Sequence, residues 1–480
     1  MSVRLADLVL QAAGSQPGKV ALLTPDGQPV SYGALVKTVQ AFSVAAQKQG
    51  VEPGDTIAIE IKNYAVYICL FLALRRLGAV PVIAGSAKQV IEDGLALTAV
   101  IAEKVSAETR IRSVQFGQNW FEMTDEPAVP PDFPDPAPAM IATSSGTTGT
   151  RRYMAFSDSQ ILERIRSFEA IFGSKPRRRL IGVGKRTAVG NFLTFQTLLA
   201  GGYLARPAEN PAKTLQLIRD QGIEEIFASP GTVIELAECA AQTETDPGEL
   251  DCIWAIGSAI APQAAIKAGE QLRAEIRISY GSTETGPVAE GALDELADIA
   301  GAAGRVASII DIRAEDDDGL DLPVGQSGRL KIRIDPTRMV DSYINSPDGQ
   351  NGSFRDGWFY PGDIGAISED GILVLTGRTS ELINLGGDKI APERVESMAY
   401  GHPGLRLAVA FGAPNRLGFD DICLAAVVDP GFDAESLRAA LGERLGQNVV
   451  VRIVQVGAIP VNAAGKTDRA ELRSRYAAAI

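Results

Sequence analysis

The stretch Ile141-Ala142-Thr143-Ser144-Ser145-Gly146-Thr147-Thr148-Gly149-Thr150-Arg151-Arg152 is the most informative segment of the sequence. A short apolar run leads into hydroxyl residues and glycines, and two arginines follow. Backbone N–H groups, hydroxyls and guanidinium groups in such a loop can surround a polyphosphate. The Walker pattern GxxxxGK[ST] is absent. A polar linker is the alternative interpretation, but the flanking strand-like run and the arginine pair favour a phosphate-binding loop.

Strand-like and helix-like segments alternate on both sides of this loop. Ser31 can cap a helix from Tyr32 to about Gln49, and Tyr64–Leu77 also has a helical pattern. This alternation predicts α/β architecture with a mostly parallel sheet. The other segments of the alternation are Val20–Thr24, Thr56–Ile61, Val80–Ile83, Leu180–Gly184, Gln196–Leu204, Glu225–Ala228 and Cys252–Ile256.

The length of 480 residues predicts about three domains or subdomains. Residues 124–138 are proline-rich and acidic, which indicates an extended surface connection. From about Gly304 to residue 379 the pattern is β-rich, and residues 380–480 have the pattern of a small α+β lobe. We therefore expect a large N-terminal region, residues 1–379, followed by a C-terminal lobe.

The composition excludes several classes of function. The chain has 46 Lys and Arg against 59 Asp and Glu, a net charge of −13, which disfavours nucleic acids and anionic membranes as partners. His402 is the single histidine, so a multi-histidine metal site is excluded. The four cysteines lie far apart, as expected of reduced thiols in a cytoplasmic protein. The N-terminus is a poor signal peptide because Asp7 interrupts its short apolar run. The most apolar stretch of the chain is interrupted by Arg75-Arg76, so its pattern does not predict a membrane span.

Four further motifs follow the first loop in a fixed order: Tyr280-Gly281-Ser282-Thr283-Glu284-Thr285-Gly286, Trp358-Phe359-Tyr360-Pro361-Gly362-Asp363, Gly377-Arg378-Thr379-Ser380-Glu381 and Asn462-Ala463-Ala464-Gly465-Lys466-Thr467-Asp468-Arg469. Together, the five segments resemble the signature motifs of the adenylate-forming superfamily. That superfamily includes acyl-CoA and aryl-CoA synthetases, peptide-synthetase adenylation domains and beetle luciferases. The resemblance covers essentially the whole chain. The chain departs from the family pattern at Arg152, where a lysine is usual, and at Arg151, where a proline is usual.

The resemblance implies roles for individual residues. Lys466, Thr283, Glu284 and Arg152 would be catalytic: Thr283 would meet the α-phosphate, Glu284 would bind Mg²⁺, and Lys466 would bridge the reacting carboxylate and the phosphate. Asp363 would accept hydrogen bonds from the ribose. The remaining nucleotide-binding residues would be Ser144, Ser145, Gly146, Thr147, Thr148, Gly149, Gly257, Ser258, Ala259, Tyr280, Gly281, Ser282 and Arg378.

The implied reaction has two steps and uses ATP, Mg²⁺ and a thiol. A carboxylate attacks the α-phosphate of ATP, and the acyl-adenylate then reacts with a thiol, most simply CoA. The C-terminal lobe would rotate between the steps about Ser380, where many members have Asp or Lys, and Gly387 would line the thiol tunnel. One alternative is an enzyme that loads the phosphopantetheine of an acyl-carrier protein, and another is a degenerate nucleotide-binding protein without catalysis.

The acyl pocket is expected around Lys185, Ala188, Gly190, Ser229 and Gly257. No acidic residue lies between Lys185 and residue 201, which disfavours an α-amino acid as the substrate. Lys185 and the adjacent Arg186 could meet a second carboxylate of the substrate, although a basic turn is the simpler interpretation. The basic patch at residues 175–179 could bind the phosphates of CoA or an acidic carrier protein, or it could be a solvated helix end.

Overall fold

The computed structural model describes residues 4–104, 111–122, 138–144, 151–260, 262–346, 352–385, 389–416, 419–446, 449–461 and 467–476. The helices in these ranges are α1 (Leu5–Gly14), α2 (Tyr32–Lys48), α3 (Tyr64–Arg76), α4 (Ala87–Glu92), α5 (Asp158–Phe172), α6 (Ala188–Leu199), α7 (Pro211–Asp220), α8 (Pro230–Thr243), α9 (Pro262–Leu272), α10 (Leu293–Leu296), α11 (Pro392–Ala399), α12 (Ala434–Leu445) and α13 (Arg469–Tyr476). Within the described ranges, none of these helices is both long and apolar enough to cross a membrane.

The strands fall into three groups along the chain. Up to residue 156 they are β1 (Val20–Leu23), β2 (Pro29–Ser31), β3 (Thr56–Glu60), β4 (Val80–Ile83), β5 (Ala99–Ala102), β6 (Arg112–Gln115), β7 (Met140–Ser144) and β8 (Arg152–Phe156). The next group is β9 (Arg178–Ile181), β10 (Tyr203–Ala205), β11 (Glu225–Ala228), β12 (Cys252–Ile256), β13 (Glu275–Ser282), β14 (Gly286–Ala292), β15 (Ala302–Val306), β16 (Ile312–Glu315) and β17 (Gly328–Arg333). The last group is β18 (Phe354–Arg355), β19 (Trp358–Phe359), β20 (Asp363–Ile367), β21 (Ile372–Arg378), β22 (Ile383–Asn384), β23 (Lys389–Ile390), β24 (Leu405–Pro414), β25 (Asp420–Val428) and β26 (Val451–Gln455).

The largest sheet combines a parallel and an antiparallel half. Its strand order is β18-β19-β17-β20-β21-β15-β14-β13-β12-β11-β9-β10-β1-β2, with β16 beside β17. Strands β1, β10, β9, β11, β12 and β13 pair in parallel, and the strands beyond β13 pair in antiparallel fashion. The predicted α/β architecture with a β-rich part is therefore confirmed.

A six-stranded sheet, β6-β5-β3-β4-β7-β8, forms the second large layer. Helices α1, α2, α3, α5 and α6 contribute to one apolar core that also contains residues of both large sheets, such as Ile59 and Phe227. Helices α7, α8 and α9 cover the opposite face of the larger sheet through a second core. Both large sheets therefore bury their faces, as expected of a parallel sheet in an α/β protein.

A buried ion pair joins α3 to α5 inside the main core. Arg75 Nη2 lies 2.6 Å from Asp158 Oδ2, and the other carboxylate oxygen of Asp158 accepts the backbone N–H of Leu5 at 3.1 Å. Asp158 follows Ser157, whose hydroxyl caps α5 in a capping box with Gln160. One carboxylate thus fixes the start of α1, the end of α3 and the start of α5 relative to each other.

The C-terminal elements pack around cores of their own. Strands β24, β25 and β26 form a three-stranded sheet, and α11 and α12 pack on it through Val395, Leu437 and Leu441. Strand β25 pairs with β24 antiparallel and with β26 parallel.

Three expectations from the sequence concern a strand, a connection and the cysteines. The segment Gln196–Leu204 spans the end of helix α6 and the start of β10, so the strand is shorter than the apolar run that predicted it. The proline-rich connection at residues 124–138 lies outside the described residues except for Pro138. The cysteines are all free, as their spacing predicted.

Candidate active site

Several of the predicted site residues lie where parallel strands end. Ser144 is the last residue of β7, Ser229 follows β11, Gly257 follows β12, and Ser282 ends β13. The ammonium of Lys185, which follows β9, donates to the carbonyl oxygens of Ile61 and Lys62 at 2.6 and 2.5 Å, directly after β3. The carboxyl ends of strands from both large sheets therefore meet, and this is the edge at which open α/β sheets bind ligands.

The turn that carries Thr283 and Glu284 connects β13 to β14. Ser282 Oγ accepts the backbone N–H of Thr285 at 3.3 Å and lies 3.1 Å from its hydroxyl. Gly281 faces Pro287 on the paired strand, and a Cβ at Gly281 would collide with the carbonyl oxygen of Gly286. The tight hairpin therefore requires the glycine that the motif supplies.

The side chain of Arg164, on α5, binds the backbone of this turn. Its guanidinium donates to the carbonyl oxygens of Thr283 at 3.2 Å and Glu284 at 2.8 Å, and to that of Arg338 at 2.9 Å. The side chain is fully buried, and burial lowers the pKa of Arg164 to about 9. One buried cation thus fixes the backbone at the two residues predicted to meet phosphate and metal.

The carboxylate of Glu284 is held by a phenol. Tyr343 donates its hydroxyl to Glu284 Oε1 at 2.9 Å, and both side chains are buried. Burial, followed by the charge of Glu284, raises the pKa of Tyr343, so the phenol remains a donor. Arg152 stacks over the Tyr343 ring with its Cζ 5.2 Å from the ring centroid, and its Nη1 donates to Ser353 Oγ at 3.0 Å.

Glu284 can accommodate a divalent cation. Among the described residues, its second carboxylate oxygen has no hydrogen-bonding or ionic partner. The described residues contain no cluster of three or more metal-ligating side chains. A single carboxylate suits Mg²⁺, which keeps several waters and is usually held by one or two carboxylates together with substrate phosphates.

Tyr280, Asp363 and Arg378, from three different motifs, form a second hydrogen-bonded cluster. The hydroxyl of Tyr280 donates to Asp363 Oδ2 at 2.5 Å, and Arg378 Nε donates to Asp363 Oδ1 at 2.6 Å. Burial, together with the Asp363 charge, raises the pKa of Tyr280. The pairing of β20 with β21 places Asp363 directly opposite Arg378. The sequence placed these residues in three separate motifs, and the fold brings them together.

The residues predicted to bind adenine and the acyl group lie at the ends of strands or at the starts of helices. Residues 257–259 are exposed immediately after β12, and Gly257 has a φ of +97°. Ser229 caps helix α8, and Ala188 is buried at the start of α6. A Cβ at Gly190 would lie 2.5 Å from the carbonyl oxygen of Gly184, so this position excludes larger residues.

The predicted basic patch at residues 175–179 is mostly engaged in ion pairs and hydrogen bonds. Arg179 is buried and bonds Glu225 at 2.6 Å, Arg177 pairs with Asp251, and Arg178 donates to the carbonyl oxygen of Gln221 at 2.5 Å. The interpretation as a helix end is wrong, because β9 begins at Arg178.

Several predicted residues lie outside the described part of the chain: Ser145, Gly146, Thr147, Thr148, Gly149, Gly387 and Lys466. Conversely, sequence reasoning missed four residues that shape the site: Arg164, Tyr343, Ser353 and Asn345. Asn345 donates to the carbonyl oxygen of Arg151 at 2.8 Å and accepts the backbone N–H of Tyr153 at 2.9 Å. These four residues belong to none of the motifs, so only spatial proximity reveals them.

Comparison with known proteins identifies the family. The profile of the family described as AMP-binding enzyme matches residues 9–339, which is more than half of the chain. The chain belongs to the AMP-binding enzyme family. The recognition of an adenylate-forming protein from its motifs is thereby confirmed.

The following relatives of this AMP-binding enzyme are distant in sequence but cover nearly its whole length. It is 26% identical to a 4-chlorobenzoate–CoA ligase from Arthrobacter sp. over 97% of this chain and 94% of that protein. It is similar in structure to the amide bond synthetase McbA from Marinactinospora thermotolerans, with a TM-score of 0.81, 24% identity and coverage of 98% and 99%. ATP-bound MatB from Rhodopseudomonas palustris matches with a TM-score of 0.85, 20% identity and 99% coverage of both chains. These structural matches confirm the fold.

Proposed function

We propose that this AMP-binding enzyme activates a carboxylic acid with ATP and transfers the acyl group to a thiol, most simply that of CoA. The first step forms the bond between a carboxylate oxygen and the α-phosphorus and breaks the bond to pyrophosphate. In the second step the thiol sulfur attacks the acyl carbon, and AMP leaves. The family, together with relatives named as CoA ligases, supports this reaction class.

The arrangement around Glu284 is the observation that carries the proposal. Two anions must approach each other in the first step, so positive charge is needed at the triphosphate. Mg²⁺ bound with the nucleotide would supply such charge, and the open oxygen of Glu284 is the atom that would hold it. Tyr343 orients that carboxylate, and Arg164 fixes the backbone beneath it. Thr283 would donate its hydroxyl to the α-phosphate, and Arg152, which stacks on Tyr343, would add a guanidinium.

The group formed by Tyr280, Asp363 and Arg378 suits a nucleoside. Asp363 uses one lone pair of each oxygen for Tyr280 and Arg378, which leaves acceptor capacity for two ribose hydroxyls. The Tyr280 ring and the exposed loop at residues 257–259 lie at the ends of neighbouring strands, β13 and β12, where they can enclose the adenine. The nucleoside would therefore be fixed before the phosphate reacts, so positioning supplies part of the catalysis.

We also propose that residues 380–480 form a lobe that rotates about Ser380 between the two steps. Ser380 is exposed, and it follows Thr379, whose N–H donates to the carbonyl oxygen of Gly362 at 2.8 Å. Directly after it, Glu381 pairs with Arg469 at 2.7 Å, so the residues beyond Ser380 are attached to the C-terminal elements. A short exposed segment between two anchored ones is suited to a hinge. Gly387 would then line the path of the thiol.

The proposal is tested by measuring pyrophosphate release over a panel of carboxylic acids with ATP and Mg²⁺. We expect one class of acid to support turnover. Lys466→Ala should abolish acid-dependent ATP–pyrophosphate exchange and affect the second step, measured from synthetic acyl-adenylate, much less. Lys213→Ala, which removes an exposed lysine on α7, serves as the control. Unchanged exchange in Lys466→Ala would refute the proposed role of this lysine.

The acceptor is identified by offering free CoA and, separately, a carrier protein bearing phosphopantetheine. Thioester formation with free CoA supports a CoA ligase. Thioester formation on the carrier alone indicates that the enzyme loads a carrier protein. Normal ATP binding with no pyrophosphate release from any acid would favour the degenerate nucleotide-binding alternative.

A further inference from the structure

A cluster of three cations lies beside the proposed acyl pocket. Lys185 and Arg186 follow β9, and Arg206 follows the neighbouring strand β10. Arg206 lies with its Cζ 4.9 Å from the Tyr64 ring centroid, and the Lys185 ammonium lies 5.8 Å from that of Tyr67. Within the described residues, no carboxylate forms an ion pair with any of the three cations.

Three fully buried arginines of the described residues have carboxylate or carbonyl partners that occupy their guanidinium groups. Arg75 is paired with Asp158, and Arg179 is paired with Glu225. Arg164 has no carboxylate partner, but three carbonyl oxygens occupy its guanidinium. Arg206 has a single described hydrogen bond, from its Nη1 to the carbonyl oxygen of Val183 at 2.6 Å.

Most N–H donors of the cluster therefore have no partner among the residues that the structure describes. A guanidinium carries five N–H donors and an ammonium carries three. Arg206 uses one of these donors in the described contacts, Lys185 uses two, and the exposed Arg186 uses none. Burial, together with the charges of Arg186 and Arg206, lowers the pKa of Lys185 to about 8. An anion would relieve the repulsion within the cluster and satisfy the free donors.

The strand order of the sheet gives the distance between the cluster and the proposed reacting centre. The strands of the parallel sheet follow one another in the order β10, β9, β11, β12, β13, and the turn with Thr283 and Glu284 follows β13. Neighbouring strands lie about 4.8 Å apart, so β9 and β13 are separated by roughly 14 Å at the backbone. Ser229 and Gly257 lie at the ends of the two strands between them. If the cationic side chains take up part of this separation, an acid with a benzene ring or a chain of about six to eight carbons would span the rest.

We propose that Lys185, Arg186 and Arg206 bind a second carboxylate at the far end of the acid substrate, which makes the substrate a dicarboxylic acid. The inference rests on the proposed function, because the first carboxylate is the one that reacts with ATP. The two groups on the substrate are chemically alike, but only the one beside Thr283 and Glu284 is activated. The other carboxylate is held by charge-assisted hydrogen bonds.

The test compares acids that differ only by a terminal methyl or carboxylate group: hexanoate with adipate, octanoate with suberate, and 4-methylbenzoate with terephthalate. The measured quantity is kcat/KM for acid-dependent pyrophosphate release. We expect the diacid to exceed its monoacid partner at least tenfold in at least one pair. Arg206→Gln should lower kcat/KM for that diacid about 10- to 100-fold, mainly through KM, and change the monoacid less than threefold.

Two more variants complete the design. Arg186→Gln changes an exposed residue, so it tests the cluster even if Arg206→Gln does not fold. Arg166→Gln, on the exposed face of α5, removes the same charge elsewhere and should leave the ratio of diacid to monoacid unchanged. If monoacids match or exceed diacids in every pair, the inference is wrong and the proposed function stands. If no acid releases pyrophosphate, the proposed function itself fails.

Discussion

At the scale of single residues, the phenol of Tyr343 controls the orientation of the proposed metal ligand. Tyr343→Phe removes the hydrogen bond to Glu284 and keeps the ring on which Arg152 stacks. Hydrogen bonds to charged groups contribute about 1.5–3 kcal/mol, so we expect a loss of roughly 10- to 100-fold in kcat/KM for the first step. The effect should be smaller at high Mg²⁺ concentration. ATP–pyrophosphate exchange at several Mg²⁺ concentrations measures it.

Tyr360→Phe is the matched control for this variant. Tyr360 donates to Glu315 Oε2 at 3.2 Å, so the same atom is removed from another tyrosine–glutamate pair. We expect this control to retain exchange activity within about threefold. Equal losses in both variants would show that Tyr343 has no special role at the site.

Lys185 should make the preference for diacids dependent on pH. Its pKa of about 8 lies below the ordinary 10.5 because of burial and of Arg186 and Arg206, while Glu103 acts in the opposite direction. The charge on Lys185 is therefore lost as the pH rises through about 8. The ratio of kcat/KM for diacid and monoacid should fall across this range. Lys185→Arg should remove the inflection, and an unchanged inflection in that variant would exclude Lys185 as its source.

The Lys185 ammonium should also make the free energy of unfolding depend on pH. The unfolded chain holds the Lys185 proton up to about pH 10.5, and the folded chain releases it near pH 8. Between these values the unfolded state binds more protons, so this residue makes the folded state more stable as the pH rises. Partial exposure of the side chain keeps that contribution small.

Sequence motifs predicted the residues that we propose to act on the nucleotide, but not the side chains that contact those residues. Glu284 and Asp363 stand in recognisable segments because the resemblance names them. Tyr343 lies 59 residues from its partner Glu284, and Arg164 lies 120 residues from the same residue. No local pattern marks such partners, since the contact exists only after the chain has folded. The supporting side chains therefore become visible only in the structure.

At the scale of elements, helix α5 and the β13–β14 hairpin act as one unit through Arg164. Arg164→Met would keep much of the apolar stem and leave the carbonyl oxygens of Thr283, Glu284 and Arg338 without their donor. A buried acceptor without a partner costs about 1–3 kcal/mol. We expect a lower thermal midpoint and a loss of at least tenfold in the first step. Differential scanning calorimetry and ATP–pyrophosphate exchange measure the two effects.

Arg166→Gln is the control on the same helix. Arg166 is exposed and pairs only with Glu163 among the described residues, so the substitution should shift neither the midpoint nor the exchange rate appreciably. If Arg164→Met retains full exchange activity, the hairpin does not depend on this anchor.

The elements themselves were largely predictable from local patterns. Ser31 caps α2 through the backbone N–H of Ala34, as its position before an amphipathic run indicated. The prediction was poorest at Gln196–Leu204, where the apolar residues of α6 run into β10. Both elements are buried, so hydrophobicity does not mark where the helix ends and the strand begins.

At the scale of the whole molecule, an ion pair joins the C-terminal elements to the larger part of the chain. Arg406 of β24 bonds Glu238 of α8 at 2.8 Å, and both side chains are partly exposed. At a second contact, Gly377 of β21 approaches Ala391, where an added Cβ would lie 2.5 Å from the Ala391 side chain. These contacts belong to one orientation of the lobe that we propose to rotate about Ser380.

Removing this ion pair should therefore shift the balance between the two steps. An exposed ion pair contributes about 0–1 kcal/mol, so Arg406→Gln should change the ratio of the two rates by up to about fivefold. Glu238→Gln removes the bond between the two parts from the other side, whereas Arg406→Gln also removes a longer contact of 3.9 Å with Asp429. The two variants should therefore shift the ratio in the same direction, and the double variant should add little to Arg406→Gln. Arg438→Gln, which breaks an exposed pair within α12, is the control.

ATP–pyrophosphate exchange reports the first step, and thioester formation from synthetic acyl-adenylate reports the second. Because the charge pair acts only in one orientation, the two rates should move in opposite directions, and a parallel fall in both would mean that the bond stabilises the fold without selecting an orientation.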